Sequence, residues 1–163
     1  MKVVVNATPL IALSLINRLD LLPALFEEIV VPRAVYEEIV VQGGGRAGAA
    51  ALSNATWMQV KEPDRLLTIE PLLLGLDAGE LQVLLLARDL QPDWVLVDER
   101  LGRRVARVLQ LQVKGTVGIL LAAFHAALLS KTEALEAVRQ LREQGFRIST
   151  AVVAWFEQEL EQT

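Results

Sequence analysis

"PDWVLVDERLGRRVARVLQLQVKG", residues 92–115, contains a whole strand–helix–strand unit. "PDWVLVD" is a short apolar run opened by proline, which reads as a strand. In the segment after it, Leu101, Val105, Val108 and Leu109 share one arc of a helix, and Arg100, Arg103, Arg104 and Arg107 share another. "LQVKG" then returns as a short strand. Strands joined through a helix run parallel, because the crossover brings the chain back to the end from which it started. The stretch therefore points to an α/β fold built around a mostly parallel sheet.

The same grammar repeats on either side. "KVVV" at 2–5 is an all-β-branched strand that passes directly into the helix "NATPLIALSLI", with Thr8 as expected N-cap and Pro9 at the first helical position. "EIVVP" at 28–32 reads as a strand and "RAVYEEIVV" as its helix. "QGGGRAG" at 42–48 is too glycine-rich for a regular element and leads to a short helix before the strand-like "WMQVKE" at 57–62. "AGELQVLLLARDL" from 78 is a strongly apolar helix. Further helices are expected over about 116–128, over "TEALEAVRQLREQG", and over "STAVVAWFEQELEQ" opened by Ser149. Strand and helix alternate, which favours three layers with right-handed crossovers and helices on both faces.

Length and composition narrow the function classes. At 163 residues with no linker, the chain reads as one domain spanning 1–163. Its hydrophobic fraction of 53% with only 5% aromatic leaves Leu, Val, Ile and Ala to fill the core. No apolar run reaches the roughly 18 residues of a membrane span, and the start is too soon interrupted for a signal peptide, so a cytoplasmic protein is expected. The absence of cysteine removes disulfides, thiolate metal sites and cysteine nucleophiles. A single histidine, His125, leaves little room for a Ser-His-Asp triad or a histidine-rich zinc site. The net charge of −4 excludes a bulk polycation, although a local basic strip remains able to meet phosphates. Chemistry rests on carboxylates.

In an open parallel sheet, sites form beyond the carboxyl ends of the strands. Asn6 and Asp98 end two of the expected strands, and Glu80 opens the helix before the Asp98 strand. On a helical wheel Glu38 falls toward the apolar face, with Glu37 nearer the wet edge. Each has a structural reading beside the functional one. "DAGE" at 77–80 has the spacing of a capping box, Asp98 can cap the arginine helix, Asn6 can be a turn residue, and Glu38 can be a solvated glutamate. Together they form a set of hard oxygen donors drawn from separate elements, which is how Mg²⁺ or Mn²⁺ is held. The arginine arc is either a solvated face or a track for phosphates, and its start two residues after Asp98 favours a phosphodiester substrate. Trp57, Trp94 and Trp155 are expected to pack rather than to stack on bases, and His125 to be structural.

These residues resemble the PIN-domain nucleases, in particular the prokaryotic DUF3368 branch. The resemblance is carried by "VVVNATPLIAL", "VPRAVYEEIV", "LDAGELQVLLLARDL", "WVLVDERLGRRVARVLQLQVKGTVGILLAA" and "LREQGFRIS", which span nearly the whole chain. It implies a PIN-like three-layer α/β/α sandwich and an acidic cluster that binds Mg²⁺ or Mn²⁺ to hydrolyse RNA. By the same resemblance Asn6 stands at the first-strand acid, Glu38, Glu80 and Asp98 at the other three, and Thr116 at a small hydroxyl residue lining the pocket. Asn6 departs from the pattern: an amide carbonyl can coordinate a hard cation but brings no charge and no base.

The resulting expectation is a metal-dependent endoribonuclease similar to the toxins of toxin–antitoxin pairs. Glu38, Glu80 and Asp98 serve as catalytic metal ligands with Asn6, and Arg100, Arg103, Arg104 and Arg107 hold the backbone. RNA is the expected substrate, an antitoxin protein and a second copy in a homodimer the expected partners, and the membrane is not. The alternative is a PIN fold weakened by Asn6 that binds RNA or protein without cutting. A receiver-like signalling domain ranks below both, since the acid pair it needs near the first strand is missing.

Overall fold

The computed structural model describes residues 1–43, 45, 48–64 and 75–162. Five parallel strands form one sheet: β1 (Lys2–Val5), β2 (Glu28–Pro32), β3 (Met58–Lys61), β4 (Trp94–Leu96) and β5 (Val113–Lys114), in the order β3-β2-β1-β4-β5. The order places β1 at the centre, with Val3 opposite both Ile29 and Trp94. A central strand buried on both faces has to be apolar throughout, and Val3, Val4 and Val5 are all 0% exposed.

Helices cover the sheet in two groups. α3 (Arg33–Tyr36), α5 (Ala78–Leu90) and α6 (Glu99–Leu109) form one, with α5 lying against both α3 and α6 and against β1 and β2. α1 (Ala7–Leu15), α2 (Leu21–Leu25), α7 (Thr116–His125), α8 (Lys131–Glu143) and α9 (Thr150–Glu161) form the other, centred on α7. The result is a PIN-like α/β/α sandwich, as the alternating pattern implies. α4 (Ala49–Ser53) is the short helix expected before β3. Gly48, its N-cap, has φ +96°, and a Cβ there would come within 2.6 Å of Ser14 Oγ, so only glycine suits the position. The rest of the glycine patch at 42–48 lies partly outside the described residues.

Two local expectations are corrected. The first helix begins at Ala7 with Asn6, not Thr8, as its N-cap residue, and no side chain caps it. Pro9 is therefore the third helical residue, still among the first four N–H positions that have no partner within a helix. The segment "RAVYEEIVV" is helical, but α3 gives way after Tyr36 to a π-helical turn over Glu37–Val41. Such turns are rare and often accompany functional positions.

Candidate active site

The sheet brings its carboxyl ends to one edge. Asn6 donates its backbone N–H to Leu96 O at 2.9 Å, so the β1–β4 ladder runs one residue past β1. Val97 does the same toward Lys114 O at 3.1 Å, past β4. Asn6, Asp98 and Thr116 therefore leave three adjacent strands at the same level. Asn6 is 5% exposed, and its side chain makes no hydrogen bond among the described residues. No buried side-chain N or O among those residues lacks a partner, so the Asn6 amide reaches solvent at this edge. Asp98 caps α6, its Oδ1 accepting from the Leu101 N–H at 2.9 Å. Thr116 is the first residue of α7 and is buried.

Glu80 meets both of its readings at once. Asp77 caps α5 through a 2.7 Å bond from Glu80 N–H to Asp77 Oδ1, and Glu80 Oε2 accepts from Asp77 N–H at 3.1 Å, completing the capping box. Its other oxygen, Oε1, accepts from Arg100 Nη2 at 2.8 Å. The Glu80 side chain is 9% exposed and that of Arg100 73%, so the arginine reaches in from solvent to a buried carboxylate. A buried carboxylate needs such a partner, and here it is one of the arginines expected to hold phosphate.

Glu38 does not turn toward the apolar face; both it and Glu37 are exposed. The 100° step of the helical wheel belongs to an α-helix, and the i→i+5 bonding of the π-turn makes the step smaller, which rotates Glu38 out to the edge. There Glu38 Oε2 and Asp77 Oδ1 each lie 3.4 Å from where a Cβ of Gly79 would stand, so the two carboxylates face each other across a glycine. Partial desolvation against the neighbouring helix first, then the charges of Asp77 and Glu80, push the Glu38 carboxyl above its ordinary value. Among the described residues Glu38 has no hydrogen-bond or ion-pair partner.

The donor set suits a hard divalent cation in its chemistry: three carboxylates and an amide oxygen from four elements, with unrelieved negative charge at Glu38. It is not drawn together into a cage. Among the described residues no group of three or more acidic or histidine side chains stands in a metal-holding arrangement, and both Glu80 oxygens are engaged.

On the other side of Asp98 and Thr116 opens a cleft of about 520 Å³, walled by α6, β5, α7 and α9. It does not include Asn6, Glu38 or Glu80, so it adjoins the acidic edge and does not contain it. Arg103 and Lys114 line it, and Lys114 Nζ also sits 4.0 Å over the Trp94 ring. Burial lowers the Lys114 pKa. Of the arginine arc, Arg100, Arg103 and Arg107 are exposed and Arg104 is half-buried, while Leu101 and Val105 are buried as the wheel predicts.

Trp155 is corrected: it is 43% exposed and lines this cleft. The signal was present in the wheel of α9, where Phe156 and Leu160, four residues apart, fix the buried arc and leave Trp155 about 100° away from Phe156. Arg147, also in the wall, had no such signal, because it lies in the loop between α8 and α9.

A family model described as DUF3368, PIN domain, matches residues 2–162. No curated protein and no solved structure matches the chain.

Proposed function

The chain belongs to the DUF3368 family of PIN domains, and from that premise we propose that it is a divalent-metal-dependent endoribonuclease. The observation that supports the reading is the acidic edge at the start of α5, where Glu38 faces the charges of Asp77 and Glu80 with no cation beside it among the described residues, and Glu80 is tied by Arg100 to the helix that Asp98 caps. Glu38, Glu80 and Asp98, with the Asn6 amide oxygen, would hold Mg²⁺ or Mn²⁺. When bound, the ion supplies positive charge at the scissile phosphate and lowers the pKa of water.

The remaining work falls to the chain itself. Asp98 is fixed in place by its cap bond to Leu101, so the carboxylate at the start of the arginine helix is held before any ligand arrives. Arg103, Arg104 and Arg107 lie along α6, where they can follow a phosphate backbone. Arg100 begins on Glu80, and releasing it would free a buried carboxylate and present a guanidinium to the substrate in one movement. The likeness to toxin ribonucleases extends the proposal to an antitoxin as protein partner, and to a homodimer as the working form.

The test is cleavage of a mixed RNA panel with Mn²⁺ or Mg²⁺, run beside EDTA and the Asp98→Asn variant. Asparagine caps a helix about as well as aspartate, so the variant removes the charge and keeps the fold. Cleavage that vanishes with EDTA and falls by at least about a hundredfold in Asp98→Asn is expected. Reversing Arg104 and Arg107 to Glu should weaken RNA binding and flatten its dependence on salt, by a slope of about 0.7 for each phosphate that is no longer neutralised.

Asn6 favours a second reading, a PIN fold that binds RNA or protein without cutting, because a neutral first-strand residue leaves one charge fewer for the metal. Asn6→Asp discriminates. Cleavage appearing only in that variant identifies the natural chain as the binding module.

A further inference from the structure

Beside the acidic edge lies the cleft, and its geometry points to a subsite for one unstacked nucleotide of single-stranded RNA, its base against Trp155 and its phosphate toward Arg147 and Lys114. The inference rests on the ribonuclease reading for the identity of the polymer and for nothing else.

The lining carries both chemistries that a nucleotide needs. Phe146, Ile148, Val152 and Trp155 supply apolar surface, and an indole 43% exposed is of the kind on which bases stack. Lys114 and Arg147 stand in the same wall, and Arg147 is exposed with no ion-pair partner among the described residues. The N-terminus of α7, ten residues long, opens here behind Gly115, which as N-cap brings no side chain to its first N–H groups. Thr116 adds an independent sign: it is 7% exposed, yet its hydroxyl has no hydrogen-bond partner among the described residues. Since no fully buried polar atom among those residues is left unsatisfied, that hydroxyl opens into the cleft.

The size, about 520 Å³, suits a nucleotide and excludes a duplex, whose bases would have to leave the stack to enter. Among the described residues Asp98 is the sole carboxylate in the wall, against the cations Arg103, Lys114 and Arg147. Sharing Asp98 and Thr116 with the acidic edge also argues for a polymer over a free nucleotide. An RNA strand seated in the cleft would continue past Asp98 and Thr116 to that edge.

The experiment uses the full chain in EDTA, so that nothing is cut, and titrates a uridine hexanucleotide and a blunt RNA duplex while tryptophan fluorescence is followed. Quenching and tight binding by the single strand, with weaker binding of the duplex, are expected. Trp155→Phe should keep most of the affinity and lose most of the quenching. Trp155→Ala should bind roughly tenfold more weakly. Arg147→Glu should weaken binding and reduce its salt slope. Wild-type affinity in Trp155→Ala, duplex bound as well as single strand, or no binding of either RNA would each overturn the subsite. The two readings fail separately: RNA cut in Mn²⁺ with unchanged affinity in Trp155→Ala removes the subsite alone. Single strands bound through Trp155 but never cut remove the nuclease alone.

Discussion

Arg100 and Glu80 form the ion pair on which the acidic edge turns. The guanidinium reaches from solvent to one oxygen of a buried carboxylate whose other oxygen completes a capping box. In the proposed metal-dependent nuclease, a divalent cation and Arg100 would therefore compete for the same lone pairs. An ion pair with one largely exposed partner contributes at most about 1 kcal/mol, so Arg100→Ala should tighten Mn²⁺ binding by roughly two- to fivefold. Calorimetric titration of Mn²⁺ into the RNA-free protein measures this, and equal or weaker affinity would mean that the cation never approaches Glu80. The sequence showed Arg100 as one of four equivalent arginines. The wheel gives an arc, and only the packing of α5 against α6 selects the arginine that bends back to a carboxylate twenty residues away.

At the scale of elements, caps decide where several helices begin. Ser130 and Glu133 form a second capping box at the start of α8, and Ser149 accepts from Val152 N–H at the start of α9. Hydrogen bonds from the Ser130 backbone and then from its side chain hold the Glu133 carboxyl below its ordinary value. A carboxyl lowered in the folded state adds stability above its unfolded value of 4.5, and that stability is lost as pH falls through the lower, folded value. The urea midpoint of the wild type should therefore fall more steeply below about pH 4.5 than that of Glu133→Gln, and parallel curves would remove the box from acid stability. Ser130→Ala should lower the melting temperature by about 2–4 °C. The "DAGE" box was legible from spacing, whereas the Ser130–Glu133 box, which has the same spacing, was not read from the sequence. The π-turn at Glu37–Val41 was not, because one extra residue in a turn leaves composition and apolar pattern nearly unchanged while it rotates Glu38 to the edge.

For the molecule as a whole, residues 155 and 156 mark the boundary between core and cleft. Phe156 is 0% exposed and joins α9 to the core, whereas Trp155 faces the cleft. Phe156→Ala should cost about 3–5 kcal/mol, and Trp155→Ala less than about 0.5 kcal/mol, both read from urea unfolding. Comparable losses would show that Trp155 is a core residue and the cleft a packing defect. By itself the sequence determined the α/β class, the bounds of β1 and β2 and the arginine arc, because those follow from short apolar runs, the 3.6-residue period and local spacing, and the resemblance of its motifs pointed to the family. Tertiary structure alone decided which strands are neighbours, which arginine meets Glu80, where Glu38 points, and that α7 and α9 open a cleft beside Asp98. Those depend on the packing of segments far apart in the chain, and no local pattern encodes them.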